Sequence, residues 1–166
     1  MHIFDPTSFL GIHTDLSVIA IIAGIVVLIG LLQAERFGKW TALFLLTAVL
    51  TDVTGFFLPA SKLLPSHIVG IISLVLLAVA CFALYARNLS GAWRPIYVVT
   101  ALVSLYLNVF VLVIQSFLKI PFLHALAPGN PPSAAIFAVV QGLVLLFFVV
   151  VIVGVWRRFR PMPVPA

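Results

Sequence analysis

Charge is what this sequence has least of. Asp and Glu together number 4, Lys and Arg 9, and charged residues make up 8 % of the 166-residue chain. A soluble globular domain carries about 25 %. A chain with 64 % apolar residues and a mean hydropathy of +1.31 cannot cover a water-facing surface, so lipid is its expected solvent. Cysteine is almost absent too. Cys81 alone excludes an internal disulfide and any CxxC metal or redox motif, and it reads as a small buried apolar residue. There is no GxSxG, no Walker or GxGxxG loop, and no HxxxH, HxxH or CxxCH spacing. Nothing therefore points to nucleophilic or ATP-driven chemistry, and an enzyme is not expected. The net charge of +5 lies scattered in short connections rather than along a basic stripe, which gives nucleic acid no footing. No repeat of 20–50 residues is visible.

What is present is a series of long apolar runs. A spanning helix needs about 20 such residues. Five segments fit or nearly fit: Leu16–Gln33, Trp40–Leu58, Ile68–Ala86, Pro95–Leu118 and Ala134–Trp156. The expected fold is all-α, a polytopic transmembrane helix bundle with five spanning helices forming one domain over residues 1–166. Only the second span contains a charge, Asp52. Gly, Pro and charged residues punctuate the connections. The longest runs from Lys119 to Pro132 and contains Pro121, Pro128, Gly129, Pro131 and Pro132. Met1–Asp15 holds no Lys or Arg, so the first span is expected to be retained rather than cleaved.

Lys and Arg fix the expected orientation. Alternation puts Arg36, Lys39, Arg87, Arg94, Arg157, Arg158 and Arg160 on one side and Lys62 and Lys119 on the other. The N-terminus is then outside and the C-terminus in the cytoplasm, as in a multi-pass protein of the bacterial inner membrane. This orientation gathers the histidines outside: His2, His13, His67 and His124, with Asp5 and Asp15. At ~1.5 Å per residue, Asp52 lies about 9 Å and Gln141 about 10 Å from the outer ends of their spans, and Gln115 about 4–5 Å. Tyr97, Thr100, Ser104, Asn108 and Gln115 fall on one face of the fourth span, which should point into the bundle. Such stripes commonly act as interhelical glue. His13, Ser17, Ala20 and Gly24 form a small-residue stripe on span one, and His67, Gly70, Leu74, Ala78 and Cys81 one on span three. If the two stripes pack together, His13 and His67 approach each other.

A carboxylate within a span is costly and is a functional candidate by default. Neutral imidazole is a common ligand for Cu, Zn, Fe and haem iron. His13, His67 and His124 are therefore the candidate metal or haem ligands. Asp15 or Asp52 is available to orient a ring, and Asp52, Asn108, Gln115 and Gln141 are the candidate ligand-binding residues.

Several stretches resemble uncharacterised bacterial predicted membrane proteins: His13 to Gly24, Thr51 to Phe56, and His67 to Leu74. Those proteins open their first and third spans with histidine. Where they often carry a further histidine at the inner start of span two, this chain has Phe37, Gly38, Lys39 and Trp40. The run from Tyr106 to Gln115, followed by Lys119 and His124–Pro128, is similar to proteobacterial hypothetical proteins. The resemblance brings no known activity. The expected function is a histidine-lined polar pocket on the periplasmic side that binds a metal, haem or small ligand. The alternatives are a non-catalytic accessory subunit of a larger membrane complex and a small transporter acting as a homo-oligomer.

Overall fold

The computed structural model describes residues 8–58 and 65–159. They form helices α1 (Phe9–Leu32), α2 (Gly38–Phe56), α3 (Pro65–Cys81, continued by a π-helical turn over Phe82–Ala86), α4 (Trp93–Lys119), α5 (Pro121–Leu126) and α6 (Ala135–Arg158), with no strand among the described residues. Four helices are long and apolar enough to cross a membrane: α1, α3 with its π turn, α4 and α6. α2 is not among them. It spends part of its 19 residues on Lys39, Asp52 and four threonines. The expectation of five equivalent spans thus gives four clear candidates and one less apolar helix.

α1 starts seven residues before the expected Leu16. Ser8 caps it, its Oγ accepting from the Gly11 amide at 3.0 Å, so His13 sits within the helix rather than ahead of it. At the other end Ala34 takes φ 60°. The Glu35 amide donates to the Gly30 carbonyl at 2.8 Å and the Ala34 amide to Leu31 at 3.1 Å. This closes the last carbonyls of α1 with a residue in the left-handed region. Pro121 opens α5 inside what the sequence shows as a long loop.

α1 to α4 pack as an antiparallel ring, each against the next, with α4 returning to α1. α6 lies outside the ring on α4 and, more lightly, α1. In lipid, close van der Waals packing rather than exclusion of water holds such helices together. The tightest point is at Gly24, where an added Cβ would stand 2.5 Å from Leu105 Cδ1 and 3.1 Å from the Phe44 ring. Ala20, Ala48, Leu77, Ala101, Leu102 and Leu105 complete this layer, all at 0–1 % exposure. α6 joins by a single row, since three of its 24 residues are buried: Gln141, Phe148 and Val155. The seven-residue spacing puts them on one seam.

The expected small-residue stripe of α3 is corrected by the structure. Ala78 is exposed, and the buried row is Ser73, Leu77, Ala80 and Leu84. α3 and α1 do not pack stripe to stripe. Both lean on α2 and α4, which separate them.

The two ends of the bundle differ. One carries Trp40, Trp93 and Trp156 with Arg36, Lys39, Arg87, Arg94, Arg157 and Arg158. There the Arg87 guanidinium lies 5.4 Å from the Trp93 ring centre, and Arg94 donates to the Phe159 carbonyl. The other end holds the start of α1, the end of α2, the start of α3 and the end of α4.

Candidate functional site

At that second end the four helices spread around a cavity of about 360 Å³. The polar part of its wall comes from every helix of the ring: His13 and Ser17 of α1, Thr51 and Asp52 of α2, His67 and Ser73 of α3, and Asn108 and Gln115 of α4. Leucines, valines and Phe56 make up most of the rest. The volume falls in the ~300–1,000 Å³ range of small-molecule sites, and mainly apolar walls with a few converging polar groups are typical of them.

His13 is held by α2. Its Nδ1 lies 2.9 Å from Thr54 Oγ1. The Thr54 hydroxyl hydrogen is already committed to the Leu50 carbonyl at 2.7 Å. The network therefore assigns the ring hydrogen to Nδ1, which donates to Thr54, and leaves Nε2 as a lone-pair acceptor. The ring also packs over Gly55, where an added Cβ would stand 3.4 Å from His13 Cε1, an ordinary contact. His67 lies against Phe56, the ring centres 5.8 Å apart. Both imidazoles thus flank the last turn of α2.

Asp52 is half-buried. Its Oδ2 is shut off from solvent and has no hydrogen-bond partner among the described residues, and the same is true of the Ser73 hydroxyl. Ser73 faces the carboxylate across the α2–α3 interface without forming a hydrogen bond of good geometry.

The polar stripe of α4 does point inward, with Tyr97, Thr100, Ser104 and Asn108 all buried. Tyr97 reaches Thr41 of α2, but the other three do not act as interhelical glue. Thr100 donates to the Ile96 carbonyl at 2.8 Å, Ser104 to Thr100 at 3.0 Å and Asn108 Nδ2 to Ser104 at 3.2 Å, all within α4. Thr47 and Thr51 do the same within α2. Back-bonding of this kind satisfies hydroxyls in an apolar setting without a second helix.

Two of the expected site residues lie elsewhere. Gln141 does not reach the cavity; its Nε2 donates to the Phe110 carbonyl at 3.1 Å and pins α6 to α4. His124 is exposed on α5 and is not part of the wall. The three histidines expected to share a metal therefore do not come together. Among the described residues no three of His, Cys, Asp and Glu form a set able to hold a metal ion. Asp15, considered as a support for a ring, is exposed and away from the cavity. His2, Asp5, Lys62 and Arg160 lie outside the described residues.

The sequence reading missed Thr51, Thr54, Ser73 and Lys119. The first two had a signal, because Thr47, Thr51 and Thr54 recur at helical spacing beside Asp52. Lys119 lies at the exposed rim of the cavity, where the last turn of α4 places it.

No protein-family model, no curated protein and no solved structure matches this chain.

Proposed function

We propose that the chain is a five-span protein of a bacterial cytoplasmic membrane whose cavity opens to the periplasmic side and binds a small organic molecule. The observation that carries this reading is the convergence of His13, Asp52, His67, Asn108 and Gln115, from four helices, on one cavity. A stabilising polar network would close such groups on each other, whereas here they surround space.

α2 qualifies as the fifth span by its place and its faces. Its 19 residues reach roughly 28 Å, close to the ~30 Å hydrocarbon core. It runs along α1, and Leu43, Leu46, Leu50 and Val53 on its outer face are exposed. Thr47, Thr51 and Asp52 lower its hydropathy while facing the bundle and the cavity. The arginine-rich, tryptophan-rich end then lies at the cytoplasm, by the preference of Lys and Arg for that side and of Trp for interfaces. The cavity lies at the opposite end. An organic ligand is favoured over a metal because no third donor joins the site among the described residues. Purified protein is expected to be colourless and metal-free, and a Soret band or stoichiometric metal by elemental analysis would replace this reading.

Cysteine labelling tests the orientation. In a Cys81→Ser background, Ser17→Cys is expected to react with a membrane-impermeant maleimide added to spheroplasts and to be protected in inverted vesicles. The reverse pattern would overturn the assignment. Binding itself is tested by native mass spectrometry from mild detergent. Wild type should carry an adduct of a few hundred daltons that Ser17→Phe, which fills the cavity, loses.

A further inference from the structure

The walls of the cavity say what kind of molecule fits. Its deep polar groups include strong hydrogen-bond acceptors. Asp52 Oδ2 is buried without a partner, the neighbouring Ser73 hydroxyl has none either, and His13 presents a lone pair at Nε2 once Nδ1 is bound to Thr54. Among the described residues only Lys119 brings a positive charge to the wall, and it sits exposed at the rim. A carboxylate inside a span is costly unless paired, so the missing element at Asp52 is a cation or a strong donor.

The apolar part of the wall is not closed. Leu10 and Val18 of α1 and Leu112 and Ile120 at the end of α4 line the cavity yet are 48, 43, 42 and 47 % exposed. These helices touch closely at Gly24 and Leu105 and diverge toward the cavity end. The cavity wall therefore includes apolar residues of both α1 and α4 that are open to the surface.

We infer that the ligand is a membrane-borne amphiphile with a cationic, hydrogen-bond-donating head, an alkylammonium in its simplest form, held with the head at Asp52 and Ser73 and the tail leaving between α1 and α4. This rests on the pocket reading above and adds the ligand's chemistry and its route. The head finds acceptors in Asp52 and His13, and the tail stays in hydrocarbon throughout, so neither part is stranded. An anionic head would meet an unpartnered carboxylate.

The test uses the full chain in phosphatidylcholine nanodiscs and four radiolabelled probes: decylamine, hexadecylamine, 1-decanol and decanoate. Retention is measured by equilibrium dialysis against empty discs. About one amine per protein is expected to be retained above the empty-disc level, with hexadecylamine held at least as well as decylamine and decanoate not held at all. Asp52→Asn should weaken amine retention at least ten-fold while changing 1-decanol less than three-fold. Lys119→Gln, at the exposed rim and harmless to folding, should strengthen amine retention several-fold. Equal retention of decanoate, or amine retention untouched by both substitutions, overturns the head chemistry and leaves the pocket standing. Exclusion of hexadecylamine alone overturns the lateral route. Retention of no probe, with the purified wild-type protein carrying no adduct, overturns both this inference and the pocket reading.

Discussion

The contact between His13 and Thr54 shows how much one hydroxyl does here. It caps two needs at once, donating to its own helix at Leu50 and accepting from the imidazole. Thr54→Val keeps the shape and removes both. A loss of about 1 kcal/mol of stability is expected, the typical net worth of such a bond, read as a lower midpoint in a dodecyl sulfate titration. Ser116→Ala, whose hydroxyl bonds only to Leu112 on an exposed face, should leave the midpoint unchanged. Glycine gives a second contrast. Gly24→Ala drives a methyl into Leu105 and Phe44, both fully buried, and should cost about 1–3 kcal/mol. Gly142→Ala meets nothing within 4 Å and should be neutral or slightly stabilising. Thermal unfolding of the two variants side by side decides this. At this scale the sequence was partly legible. Asp52, His13, His67, Asn108 and Gln115 stand out because polar residues are rare in this chain, and all five line the cavity. Whether a polar residue faces a cavity or a neighbouring backbone is not encoded in its type. Gln141 and Asn108 therefore looked alike from the sequence, although one pins two helices and the other lines space.

Among the elements, the apolar runs announce the helices, and their ends are set by chemistry that hydropathy does not register. α1 reaches back to Phe9 because Ser8 caps it. It ends in a left-handed turn that places Ala34 at φ 60°, a conformation costly for any residue with a Cβ. Ala34→Gly should raise stability by about 0.5–1 kcal/mol, seen as a higher thermal midpoint with no change in helix content; a lower midpoint would mean the turn is not strained. The face of α4 was readable because polar residues mark it at helical spacing. The face of α3 was not. It has small residues on two sides and no charge on either, so the row through Ala78 looked as good as the row through Ser73, Leu77, Ala80 and Leu84 that packs. α2 is the instructive case. Hydropathy alone passes over it, because Thr51 and Asp52, which line the cavity, and Lys39 at the other end make it less apolar.

For the whole molecule, the division between a ring of four helices and an attached fifth has a consequence for stability. α6 is held by the Gln141–Phe110 bond and by Phe148 and Val155 along one seam. Gln141→Leu should loosen α6 without disturbing the cavity, so proteolysis near Ala134 is expected to quicken while the accessibility of Ser17→Cys stays as in the parent protein. Faster proteolysis with altered Ser17→Cys labelling would show that α6 and the ring fold as one unit.

Beneath the cavity lies the dense layer where Gly24, Phe44 and Leu105 meet, and a second hollow of about 60 Å³ lies on its far side, near Glu35, Arg36 and Tyr97. The molecule is thus a cup with a thick base rather than a tube. On the proposed reading, a ligand in the cup leaves by the way it came or sideways between α1 and α4. Passage to the opposite end would require that base to be dismantled. On the proposed reading, a single copy holds its ligand at one end of the bundle and does not pass it through.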